Sequence, residues 1–187
     1  MNSGGFLTRA TIEEAFQALG RKALAAQKII EIAVYGGSAL VLILPQRPAT
    51  KDVDDVIQND PQWMRQATAE LAMEKGWPPA WFNDGVKGWL SDRDSTAKSL
   101  FKTYPSEDAP GLRVFTASPQ YLFAMKCLAM RVGGVDEAQD RSDIEALAKV
   151  IGVTTESQAL EIVSQYYPKA RISPKTQFGI EEIFGTS

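Results

Sequence analysis

The order of elements between residues 30 and 57 constrains this chain more than its length does. Residues 30–37 read IEIAVYGG, an apolar, β-rich run that predicts a buried strand halted by a tight turn at Gly36 and Gly37. Ser38 then stands where it can cap a short apolar helix, ALVLIL, which must stop near Pro45 and Pro48 because proline lacks the amide a helix needs. TKDVDDVI, residues 50–57, is too short and too β-branched for a helix and reads as a second strand, closed by Asn59 and Pro61.

The rest of the chain extends this pattern. Thr11 and Glu14 stand in capping-box spacing before Ile12, Ala15, Phe16 and Leu19, so residues 11–30 predict an opening helix. A helix is expected over 62–75, then a turn-rich loop with a short strand in GWPPAWFNDGVKGWL. The polar stretch SDRDSTAKSLFKTYPSEDAPG specifies little, and RVFTA after it reads as a strand. Ser118 and Pro119 open a helix well, as N-cap and first helical residue, and PQYLFAMKCLAMR runs to Gly133 and Gly134. Two more helices follow, about 139–151 and 156–167, and a tail that is basic first and apolar later. The expected class is α+β: an α/β core over residues 1–117 with a mixed sheet and flanking helices, then a helical part over 118–187 packed on it.

Composition decides which chemistries are open. The 187 residues contain no histidine and one cysteine, Cys127, which removes Ser-His-Asp and Cys-His catalysis, histidine or thiolate zinc, and any internal disulfide. Catalysis would have to use carboxylates, lysine, hydroxyls or a hard metal bound through oxygen. A net charge of −3 gives no global attraction to nucleic acid. No apolar run approaches a bilayer span and no leader pattern opens the chain, so a cytoplasmic protein without a membrane partner is expected.

Within that restriction the 36–54 stretch gains meaning. Along a strand, Asp52 and Asp54 would share one face while Val53 and Asp55 take the other. Two carboxylates about 6–7 Å apart can converge on one Mg²⁺, which takes only one or two protein carboxylates. Gly36, Gly37 and Ser38 at a helix start could hold phosphates, because N-terminal amides attract anions and glycine admits a close backbone approach. Each half alone is also an ordinary turn or an ordinary strand end.

Together, strand, GGS turn, short helix and Asp-x-Asp strand resemble the signature of the DNA polymerase β-like nucleotidyltransferases. YGGSALVLILPQRPATKDVD is similar to the AbiEii-type and related bacterial members, in which an arginine and a threonine precede the acids, as Arg47 and Thr50 do here. The resemblance implies an Mg²⁺-dependent transfer of a nucleoside monophosphate from an NTP to an acceptor hydroxyl. It also implies a toxin that would have an antitoxin protein partner and an RNA or tRNA acceptor. Lys126 and Asp143, with Asp140 less closely, match the lysine helix and acidic motif of such proteins.

By its neighbours alone, Lys126 in YLFAMKCLAM is either snorkelling outward or paired inside. Asp140 and Asp143 continue the stripe of Ile144, Leu147 and Ile151, although acids near a helix start are common. Asn83 and Asp84 could line a cleft or sit in a packed aromatic loop, and Lys169, Arg171 and Lys175 form a short basic segment suited to RNA or to solvent. RVFTA lacks the third strand carboxylate of many superfamily members, which favours the alternative of a nucleotide- or protein-binding module without turnover.

Overall fold

The computed structural model describes residues 5–131 and 136–185. In chain order the elements are β1 (Leu7–Thr8), α1 (Arg9–Ala25), β2 (Ile30–Tyr35), α2 (Gly36–Ile43), β3 (Ala49–Thr50), β4 (Val53–Ile57), α3 (Pro61–Lys75), β5 (Phe82–Asn83), β6 (Lys98–Pro105), β7 (Pro110–Ala117), α4 (Pro119–Ala129), α5 (Glu137–Ile151), α6 (Glu156–Tyr166) and α7 (Pro174–Phe184). The class is α+β. A mixed five-stranded sheet has the order β5-β4-β2-β7-β6, and β1 pairs with β3 separately.

Two compact units divide the chain: one runs through Lys87 and includes Lys98–Ala117, the other joins Gly88–Ala97 to the residues from Ser118 onward. In the first unit β2 is central, antiparallel to β4 and parallel to β7, and its apolar residues are buried on both faces. The register sets Tyr35 opposite Asp54 and Val34 opposite Asp55, which fixes the acids of β4 beside the start of α2. Helix α1 lies on β6 and β7 and buries Ile12, Ala15, Phe16 and Leu19.

In the second unit α4 packs against α5, α6 and α7. Burial of Tyr121, Leu122, Phe123, Ala124, Met125, Cys127 and Leu128 explains why its sequence is apolar nearly all round. The 88–97 segment is bound to these helices: Ser91 N donates to the Tyr121 hydroxyl at 2.7 Å, Tyr167 donates to Trp89 O at 2.6 Å, and Arg171 donates to Leu90 O at 2.9 Å and Gly88 O at 2.7 Å.

Several sequence expectations change. Thr8, not Thr11, caps α1, its hydroxyl accepting from Thr11 N at 3.2 Å. The helix stops at Ala25 because Gln27 takes a left-handed backbone, with φ of +55°. Helix α2 starts at Gly36 directly after Tyr35, so Ser38 lies inside it and is not its cap. The expected strand over 50–57 is two strands, β3 and β4, with Lys51 and Asp52 in a bend between them. The unspecified polar stretch contains β6, paired antiparallel to β7. The tail contains a helix, α7, with Ser173 as its cap. Helix α4 ends at Ala129, and the expected stop at Gly133 and Gly134 lies outside the described residues.

Packing of α1 on the sheet depends on Gly20. A Cβ there would stand 2.7 Å from the backbone C and O of Tyr104, atoms that cannot rotate away. Alanine normally improves a helix interior by about 1 kcal/mol over glycine. Here Gly20→Ala is expected to destabilise by about 1–3 kcal/mol through overpacking, seen as a lower midpoint in urea denaturation.

Candidate functional site

Gly36 has φ of +55°, in the left-handed region, and a Cβ at this position would collide with Oδ2 of Asp54. At Gly37 a Cβ would lie 2.7 Å from the Thr50 hydroxyl and 3.6 Å from Nη2 of Arg47. The two glycines therefore make room for an acid, a hydroxyl and a guanidinium supplied by β4, β3 and the loop after α2. Ser38 is fully buried, donates to Tyr35 O at 2.8 Å and accepts from Asp54 N at 3.2 Å. Its hydroxyl ties the start of α2 to β4, which holds the backbone of Asp54 in place.

Asp52 is oriented by a different device from the one expected. It precedes β4, so strand alternation does not set its direction. Instead its Oδ2 accepts from Nδ2 of Asn83 at 2.9 Å. Asn83 is held in turn by Ala80 O, by Gly85 N and by parallel pairing of β5 with β4, in which it stands beside Asp54. Asn83 thus belongs with the acids, whereas the Asp84 carboxylate bonds Lys87 at 2.6 Å.

Among the described residues no group of three or more histidine, cysteine, aspartate or glutamate side chains is gathered to hold a metal. Asp52 and Asp54 together still offer the two hard carboxylate donors that Mg²⁺ commonly takes from protein, with water and phosphate oxygens as its other ligands. The residues therefore suit that ion in kind and number.

Lys126 and Asp143 lie in the helical unit and pair with each other. Nζ of Lys126 stands 2.8 Å from Oδ2 of Asp143 and 3.4 Å from Oδ1 of Asp140. The lysine is paired inside and does not snorkel: its side chain is 16% exposed, those of Asp140 and Asp143 5% and 3%. Gln139 donates to Asp143 at 2.9 Å. Arg131, which the sequence reading did not single out, clamps Asp140 through Nε at 2.8 Å, Nη2 at 3.0 Å and its backbone N–H at 3.2 Å. Burial opposes ionisation of Asp140, but Arg131 and Lys126 outweigh it and hold the carboxyl below its ordinary value. The basic segment also has internal work, since Arg171 bonds two carbonyls and lies 5.1 Å from the Tyr167 ring centroid.

Asp55 follows Asp54 on the opposite face of β4, is 1% exposed, and burial followed by the Asp84 charge pushes its carboxyl up to about 8. The available signal was its place between Val53 and Ile57 on a face that is otherwise apolar.

Gly36→Ala should displace the Asp54 carboxylate and strain the turn, costing about 1–3 kcal/mol of stability in a denaturant titration. Lys126→Ala leaves two buried aspartates short of a cation and should cost about 3–5 kcal/mol by the same measurement. Folding lowers the Asp140 carboxyl below its unfolded value, so its stabilisation is complete above about pH 4 and is lost as pH falls through the folded value. Asp140→Asn should therefore flatten the acid limb of a plot of Tm against pH.

No family model matches the chain, and neither a curated protein nor a solved structure matches it.

Proposed function

We propose that the chain is an Mg²⁺-dependent nucleotidyltransferase of the DNA polymerase β-like kind, closest to the AbiEii-type proteins. The observation that carries this reading is the Gly36-Gly37 turn, onto which Asp54, Thr50 and Arg47 close. In this reading the backbone of the turn binds the triphosphate, Arg47 and Thr50 orient it, and Asp52 and Asp54 hold the ion. Bound Mg²⁺ supplies neutralisation of the phosphate charge. The acceptor hydroxyl gives up its proton to solvent as its oxygen forms a bond to the α-phosphorus and the bond to the bridging oxygen of the departing pyrophosphate breaks. Asn83 acts as a positioning residue for Asp52.

Lys126 has a smaller part in this proposal than the family resemblance implies. Its charge is committed to Asp143 and Asp140, so it holds α4 to α5 and is not assigned to the triphosphate. An RNA or tRNA acceptor and an antitoxin partner remain part of the proposal by resemblance.

A second reading, a nucleotide- or protein-binding module without turnover, is favoured by the placement of the acids. Strand β7 carries no carboxylate, and no three-acid group forms among the described residues.

Incubation with each labelled NTP, Mg²⁺ and total RNA separates the two readings. Wild type should transfer label to an RNA or to protein, and Asp54→Ala should reduce the rate by about 10²-fold or more while keeping the folded circular dichroism spectrum. Absence of transfer from every NTP by wild type would overturn the enzyme reading in favour of the binding module.

A further inference from the structure

Behind β4, on the face opposite Asp54, a cavity of about 490 Å³ opens between α3 and the β4–β5 edge. That volume suits a small organic ligand. Asp55 and Ile57 line it from the same face of β4, Phe82 and Pro79 give it apolar walls, and Arg65 and Lys87 contribute cations.

Most polar groups around it are already engaged. The Thr68 hydroxyl donates to Met64 O at 3.0 Å, the Asn83 amide donates to Asp52, and Asp84 holds Lys87 at 2.6 Å with Arg65 at 3.8 Å. Asp55 differs: its residue is 1% exposed, yet its Oδ2 has no hydrogen-bond partner among the described residues. A buried carboxyl oxygen without a donor is costly, and its place beside a cavity specifies what would satisfy it, an N–H from an occupant.

The charges nearer solvent narrow the occupant further. Arg65 and Lys87 against Asp84 leave one net positive charge, with the Arg65 and Lys87 side chains 65% and 52% exposed. A polyamine or free guanidinium would be repelled there, whereas a molecule with an N–H donor at one end and an anion at the other satisfies both ends. A planar body suits the Phe82 and Pro79 walls.

We propose that this cavity binds an amino-bearing purine nucleotide, with Asp55 accepting an N–H of the exocyclic amino group and Arg65 and Lys87 facing the phosphate. The site is separate from the transfer chemistry: it needs neither Mg²⁺ nor Asp54, and its failure would leave the nucleotidyltransferase reading intact.

The test is calorimetric titration of the full chain in EDTA with AMP, GMP and IMP, the last lacking an exocyclic amine. AMP or GMP should bind about tenfold or more tightly than IMP, which lacks the exocyclic amine that Asp55 is assigned to accept from. Asp55→Ala should abolish that preference, Lys87→Ala should weaken AMP binding without changing adenosine binding, and Asp54→Ala should change neither. Photolabelling of wild type with 8-azido-AMP avoids any dependence on variant folding, and label should map to peptides of α3 or residues 79–87. No binding of AMP or GMP, equal binding of IMP, a preference retained in folded Asp55→Ala, loss of binding in Asp54→Ala, or label elsewhere would each overturn the proposal.

Discussion

Two absent Cβ atoms organise the first unit. At Gly36 and Gly37 a side chain would occupy the volume taken by the Asp54 carboxylate, the Thr50 hydroxyl and, more loosely, the Arg47 guanidinium. Because Ser38 bonds both the end of β2 and the backbone of Asp54, strand, turn and second strand are fixed as one piece. The acid is therefore positioned before any ligand arrives, which is the condition for electrostatic catalysis or for selective anion binding. Both functional readings draw on this preorganisation, and they differ in what else is supplied.

The helical unit keeps its charges differently. Asp140 and Asp143 are almost wholly buried and are stabilised by Lys126, Arg131 and Gln139, so no member can be removed without leaving another exposed to the low dielectric. Such a network specifies how α4 and α5 meet. These ion pairs suffice to explain a rigid helix pair.

Much of the fold was legible because the signals were local. Ser118 with Pro119 opens a helix, and Gly152 closes the one expected to end at residue 151, by chemistry that operates within a few residues, and both appear in the structure. What failed depended on distant partners. Strand β6 has a mixed polar pattern and becomes a strand through pairing with β7. Asp52 was assigned to a strand face, but its orientation comes from Asn83, 31 residues away. The glycine turn and Asp54 could be brought together from sequence because only a short helix separates them. The depth of Asp55 could not, since it requires α3 to cover that face of the sheet.

The return of residues 88–97 to the helical unit has a consequence for how the chain is divisible. The polypeptide leaves the sheet unit after Lys87, re-enters at Lys98 and leaves again after Ala117, so the two units are interleaved in sequence. A cut at residue 117 would strip Trp89, Leu90 and Ser91 of the tyrosines and arginine that bind them, leaving a ten-residue strand of loose chain within the sheet unit. Neither half is a cassette that recombination could move by a single crossover. The covalent path makes the sheet and the helices inherit one another's fate.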